Sequence, residues 1–207
     1  MATMFEREFT CPSCGAPVKQ KHPGSKTLIC AHCGQTSHLN ADTLKAAGEK
    51  HLLIDYGSVL TIGQTGKIGG REFLVLGKVR IDYEDGFWDE WYIQYLDNGN
   101  EGWIQEDDGS FTLFHETKEI SDSLSLEDIT VGEWNDLCGN WEPVFITSKS
   151  KATVNGGEGE LPFRIIPGEP ADFVDGVWNG KVVSVELLPD EKVIFTGQLF
   201  SLEEMSL

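Results

Sequence analysis

The chain has 207 residues, 40% of them hydrophobic, and 34 Asp/Glu against 16 Lys/Arg give it a formal net charge of -18. That length suffices for one sizeable core plus a small appended module, or for two modest domains. Residues 1–50 carry six Lys/Arg and four Asp/Glu, which leaves a net -20 on residues 51–207, a body that repels phosphate backbones and argues against nucleic-acid binding there.

The opening MATMFEREFTCP has neither a cationic leader nor an apolar h-region, and no apolar run approaches the roughly 18 residues of a membrane span. A soluble, cytoplasmic protein is the expectation.

Residues 1–45 read as a zinc ribbon. Two CxxCG knuckles supply Cys11 and Cys14, then Cys30 and Cys33, each pair pointing two thiolates at one ion. Gly15 and Gly34 let the backbone turn so that its amides approach the sulfurs. Fifteen residues between Cys14 and Cys30 are enough for two short strands that set the knuckles face to face. A closed four-thiolate sphere leaves no position for water, so one structural Zn²⁺ is expected. Iron in a rubredoxin-like site is the alternative, but the longer intervening segment and aromatic packing of such a site are absent. His22, His32 and His38 read as bystanders, and Cys138 as a small buried apolar residue. Any nucleic-acid contact would fall to Lys19, Lys21 and Lys26 in the ribbon loop.

Residues 46–55 read as a linker, and the overlapping stretch 41–52 contains a short helix-compatible run that Gly48 ends. From residue 56 short apolar bursts alternate with turn signals: YGSVLTI, the turn GQTGKIGG, REFLVLGKVRI, WYIQYL, the hairpin turn DNGNEG, GWIQE, DDGS and FTLFHET. This predicts about five strands between residues 57 and 117, in a first β lobe over 56–120. A connector over 121–137 with one helical turn at Leu124–Asp128 leads to PVFITSKSKATV, ELPFRII, ADFVD, KVVSVELL and KVIFTGQLF, a second lobe over 121–207. The fold class is mainly β, a small ribbon followed by a two-lobed antiparallel body with barrel- or sandwich-like halves. Leu60-Thr61-Ile62-Gly63 and Ile129-Thr130-Val131-Gly132 open the two lobes alike, an echo of internal duplication.

The stretch DGFWDEWYIQYL places Glu90, Tyr92 and Gln94 on one strand face and Trp91, Ile93 and Tyr95 on the other, one of them core. In the plain reading Trp91, Trp103 and Phe111 fill the barrel. In the functional one, Trp88, Glu90 and Trp91, with Glu158 and Glu160 of GGEGELP, form an aromatic-acidic groove for a basic or proline-containing peptide. A carbohydrate-stacking surface is a further alternative. No metalloprotease, nucleophile-elbow or phosphate-loop pattern occurs, so catalysis is disfavoured. An acid–base pair of Glu90 with Glu158 or Glu160 acting on a small cationic substrate is the enzyme alternative.

GREFLVLGKVRI, WDEWYIQYL, GWIQEDDGSFTL, GEGELPFRIIPGEPADFVDG and FTGQLF, spread over residues 56–200, resemble the bacterial family called domain of unknown function 4178. The most specific stretches are Trp88, Glu90, Trp91 and Gly159 to Pro162. The resemblance implies a cytoplasmic protein with an N-terminal zinc ribbon, encoded near membrane-stress proteins, small membrane proteins and aminopropyltransferase-like enzymes. It carries no established activity. The reading is therefore a non-catalytic zinc-ribbon adaptor or scaffold in a stress-associated system, docking proteins with basic, in some cases membrane-associated, surfaces through its ribbon and acidic body.

Overall fold

The computed structural model describes residues 5–119, 125–137, 143–187 and 192–207. Strands β1 (Arg7–Thr10) and β2 (Pro17–Gln20) form a small hairpin, and β3 (Thr27–Ile29), β4 (Thr36–Asn40) and β5 (Thr43–Ala46) complete the ribbon. The body continues with β6 (Thr65–Ile68), β7 (Arg71–Tyr83), β8 (Gly86–Tyr95), β9 (Glu101–Asp107) and β10 (Ser110–Glu119), a five-stranded meander. A 3-10 turn (Leu126–Asp128) precedes β11 (Trp134–Asn135), β12 (Val144–Ser150), β13 (Ala152–Leu161), β14 (Asp172–Trp178), β15 (Lys181–Leu187) and β16 (Lys192–Phe200). A second 3-10 turn (Leu202–Glu204) and β17 (Met205–Ser206), which pairs with β6, end the chain. The protein is mainly β, built on one large antiparallel sheet that stays open; among the described residues no barrel closes and no α-helix forms.

The echo between the two opening motifs extends through the backbone. Leu60 and Ile129 are both buried, and Gly63 and Gly132 both sit in the left-handed region, at φ 85 and 83. Gly63 N–H donates to Val75 O, and Val75 N–H to Gln64 O; Gly132 donates to Ile146 O, and Ile146 to Glu133 O. Two residues past each glycine a short strand begins, with Thr65 opposite Leu74 and Trp134 opposite Phe145. Both long strands then bulge at the next step, between Val75 and Gly77 and between Ile146 and Ser148.

Carried outward, the pairing superimposes β6-β7-β8-β9-β10 on β11-β12-β14-β15-β16, with Phe73 matching Val144, Trp91 matching Val174 and Ile104 matching Val185. Each set encloses its own cluster of buried side chains. The halves meet through β10 and β16, where His115 opposite Thr196 marks a local twofold axis. The sheet is an internal repeat, with β13 inserted in the second copy.

β13 pairs with β7 and runs on to pair with β3, so ribbon and body share one sheet. The strands approach closely at the handover: a Cβ on Gly77 would lie 2.0 Å from Glu160 O, and one on Gly159, at φ 71, would lie 2.3 Å from Leu76 O. Only glycine fits such contacts between backbones.

Four expectations change. Residues 41–52 hold β5 instead of a helical run, because Ala41, at φ 50, turns the chain back against β4 and packs Leu44 on the ribbon core. Ladder hydrogen bonds outweigh the helix propensity of so short a segment. YGSVLTI takes no strand, whereas GQTGKIGG contains β6, closed onto β7 by Gly69 and Gly70 at positive φ. PVFITSKSKATV is divided between β12 and β13 at Lys151. In β8 both faces are core: Trp88 and Tyr92 join one cluster, Trp91, Ile93 and Tyr95 another. Trp91, Trp103 and Phe111 are all buried. Cys138 lies outside the described residues.

Candidate functional site

The two knuckles meet as their spacing implies. Gly34 N–H donates to Cys30 O and Gly15 N–H to Cys11 O, tight turns made by glycines at φ 69 and 77. The four sulfurs lie within 4.8 Å of one another, with Cys11 Sγ 3.8 Å from Cys33 Sγ and Cys14 Sγ 3.7 Å from Cys30 Sγ. A tetrahedron with metal–sulfur bonds of about 2.3 Å has edges of about 3.8 Å, so the cluster is dimensioned for a four-thiolate ion. All four cysteines are free thiols. Burial pushes the Cys30 thiol up to about 12. At Cys11 burial also acts upward, but the Cys14 and Ser13 amides hold the thiol down near 7. Four such thiols side by side can hold a metal ion. His22 and His38 lie elsewhere: His22 faces Tyr92 and Glu101, and His38 Nε2 lies 3.0 Å from Ile165 O.

Glu160 joins this module to the body. Its carboxylate accepts Lys21 N–H at 2.9 Å, His22 N–H at 3.0 Å and the Ser25 hydroxyl at 2.7 Å, anchoring the loop between β2 and β3. Lys26 N–H donates to Leu161 O, and Thr27 Oγ1 to Phe163 O. Replacing Glu160 with alanine strands two amides and a hydroxyl in a buried site. At about 1–3 kcal/mol per orphaned donor, the expected loss is a few kcal/mol. Amide exchange over residues 20–28 checks this: protection should fall there first and remain in β8 and β9.

The five body residues read as a groove are divided between the two faces of the sheet and the ribbon junction. Trp88 Nε1 donates to Glu90 at 2.6 Å on one sheet face, while Trp91 Nε1 donates to Glu106 at 2.9 Å on the other. Glu158 pairs with Lys78 at 3.3 Å, and Glu160 lies under the ribbon. Glu90 lies in a cavity between β8, β9, β10, β15 and β16, whereas Glu160 is held by the ribbon loop, and among the described residues the two share no hydrogen-bond partner.

Glu90 has a different neighbourhood. It lines a small cavity with Trp103, Gln105, Phe114, Ser184, Glu186 and Phe195, so the two repeats face each other across it. Burial raises its carboxyl to about 7, despite hydrogen bonds from Trp88 and with Glu186, and Asp175 and Asp89 add repulsion. Asp175 is raised as well, chiefly by burial. A carboxyl whose folded pKa exceeds its ordinary 4.5 keeps its proton longer when folded. Its stabilising contribution is full below 4.5 and is lost as pH rises through 7, a penalty of about 3 kcal/mol. Glu90→Gln is expected to remove that slope and raise Tm at pH 8 by several degrees, with little change at pH 4.5. Thermal melts across this range check it; parallel wild-type and variant curves count against it.

Signals for a second site were harder to read. Lys78, Arg80 and Asp89 are all buried, side by side on the Trp91 face. Arg80 binds Asp89 bidentately at 2.7 and 2.6 Å, donates to Ile54 O at 2.8 Å and stacks on Phe87 and Tyr56 at 4.2 and 4.9 Å. Lys78 lies 4.7 Å above the Trp91 ring and 3.9 Å from Asp89. They floor a cleft of about 630 Å³, walled by Tyr56, Tyr83 and Phe87 and by the β7–β8 and β9–β10 turns. Six carboxylates line it, from Asp55, Asp85, Asp89, Glu106, Asp107 and Asp108, against two cations. Burial and the Asp108 charge raise the Asp107 carboxyl. Alternation in KVRID marks Lys78 and Arg80 as one face, but nothing local says that Asp89 and the segment at 54–58 bury them.

A family model described as Domain of unknown function (DUF4178) matches residues 61–201, and the chain belongs to that family. No curated protein and no solved structure matches.

Proposed function

We propose that this DUF4178 protein is a non-catalytic adaptor: a zinc-stapled ribbon fused to an acidic β body that binds a partner protein through a basic surface. The observation that carries the reading is the 630 Å³ cleft, where five carboxylates, from Asp55, Asp85, Glu106, Asp107 and Asp108, surround a floor on which Asp89 already pairs with both cations. Those cations are already paired with Asp89 and Glu158, so the rim is left to attract positive charge from outside. Zinc is the ion proposed for the four-thiolate cluster, since its donor set and dimensions suit a closed tetrahedral site. A nucleic-acid role for the ribbon is weaker: Lys19 is engaged by Glu6 at 3.0 Å, which leaves Lys21 and Lys26 exposed beside a body of net -20. The setting we propose for this adaptor is a cytoplasmic, stress-associated bacterial system, a reading supported only by the family resemblance.

Affinity capture with the intact, zinc-loaded chain from soluble and membrane fractions tests this. The expected result is recovery of a protein with a basic surface, retained at low salt and released as ionic strength rises. Recovery of no protein, together with turnover of a small cationic metabolite, would replace the adaptor reading with the enzyme one.

A further inference from the structure

Between ribbon and body the chain crosses the sheet as an extended strap. Residues 51–58 take no strand partner among the described residues. Its inner side is fixed: His51 N–H donates to Gly34 O of the second knuckle, Arg80 holds Ile54 O, and His51 and Leu53 lie against Gly156. Its outer side is apolar. Leu52, Ile54 and Tyr56 alternate along it and are 64%, 66% and 64% exposed. Val59 and Ile62, at 42% and 37%, continue the row, a concentration of exposed apolar side chains in one short segment.

Exposed apolar side chains at positions 52, 54 and 56, with Leu53 partly buried between them, follow the two-residue alternation of a strand with one face packed. Tyr56 belongs to both features, standing in the apolar row and lining the carboxylate cleft. Apolar row and anionic cleft therefore form one continuous surface, starting at Gly34 of the second metal knuckle.

We propose that this surface is the docking site, and that its occupant is an extended basic segment of a partner protein. Alternate apolar side chains of that segment cover Leu52, Ile54 and Tyr56, while its Lys or Arg side chains enter the cleft beside Asp85, Asp107 and Asp108. The choice of occupant rests on charge: the rim carboxylates repel an acidic or phosphate-bearing ligand and attract a cationic one. This inference rests on the adaptor reading and locates its contact. Because the strap hangs from Gly34, docking also depends on the folded knuckle.

The test uses a fluorescein-labelled decapeptide of alternating lysine and valine, with a glutamate-for-lysine version as control, measured by anisotropy against the full zinc-loaded chain. Three variants are compared: Asp85→Asn/Asp107→Asn/Asp108→Asn in the cleft, Leu52→Ser/Ile54→Ser on the strap, and Glu127→Gln/Glu133→Gln/Glu203→Gln, which removes the same charge from exposed positions outside the cleft. Expected is at least tenfold weaker lysine-peptide binding by the first two, near wild-type binding by the third, and none of the glutamate peptide by any. All altered side chains lie on turns or exposed positions, and unchanged melting curves confirm folding. Equal weakening by the third variant, or no lysine-peptide binding by the wild type, overturns the site. If captured partner binds the cleft and strap variants undiminished, this inference fails while the adaptor reading stands; if no partner is captured at all, the adaptor reading fails first.

Discussion

Replacing Cys30 with serine is expected to abolish stoichiometric zinc binding and to unfold the ribbon while leaving most of the body's sheet in place. The ribbon's own core consists of Cys11, Val18, Leu28 and Cys30 with a few partly buried neighbours, too little to fold a segment of this size. Metal binding of about 10–16 kcal/mol is the dominant stabilising contribution in such modules. The loss reaches outward along definite contacts: β3 leaves β13, Glu160 loses its donors, and the strap loses its anchor at Gly34. Zinc content by mass spectrometry should fall from one per chain to none. Amide exchange should then accelerate over residues 7–46 and 51–54, with β8, β9 and β10 still protected. A variant that retains one zinc, or an apo protein with a fully protected ribbon, would refute a metal-dependent fold.

Asp89→Ala is expected to destabilise the body by about 3–5 kcal/mol, the usual result of stripping one partner from a buried ion pair. Asp89 is the shared counterion of Arg80 and Lys78, and Arg80 and Lys78 are each only 4% exposed. Without Asp89, Arg80 retains only Ile54 O and its aromatic neighbours, and Lys78 the half-exposed Glu158 and the Trp91 ring. Asp89→Asn should cost less, since its amide oxygen still accepts from Arg80. Replacing Arg80 together with Asp89 should cost less than the two single changes summed, which a double-mutant cycle in urea measures directly. Additivity would mean that the pair is not coupled. The strap offers a second readout: with Asp89 no longer fixing the guanidinium, its bond to Ile54 O should weaken and proteolysis near residue 55 should accelerate.

The four-cysteine cluster was legible because its information is local. Two CxxCG knuckles and fifteen intervening residues confine four thiolates to one small volume whatever surrounds them, and their glycines take the positive φ that a knuckle requires. The β class was legible for the same reason, since alternation and turn residues act over a few positions. The duplication showed only as four matching residues at each lobe's start. Side chains diverged, with Trp91 matched by Val174 and Phe73 by Val144, while the hydrogen bonds of Gly63 and Gly132 stayed alike.

Where a residue points within a sheet depends on what covers it, and there the sequence fell short. DGFWDEWYIQYL spells out two faces but not that both are core; Trp88 and Trp91, natural candidates for an exposed groove, are buried on opposite sides. Glu90 and Glu160 look alike as acids in glycine- and tryptophan-rich strands. One shares a cavity with Glu186 from the other repeat, and the other anchors a loop of the ribbon more than 130 positions away. The segment at 46–55 read as a linker because its composition is unremarkable, yet it carries the chain across the buried Arg80.

By itself, then, the sequence determined the four-thiolate centre, the β class and the acidic balance, all properties set by short-range spacing or by composition. Only the tertiary structure decided that ribbon and body share one sheet, that Asp89 is buried between Arg80 and Lys78, and that an apolar strap runs into a carboxylate-lined cleft. Each of these depends on strands distant in the chain being brought side by side, where burial gives a charge or a hydrogen bond an energy that no local pattern records.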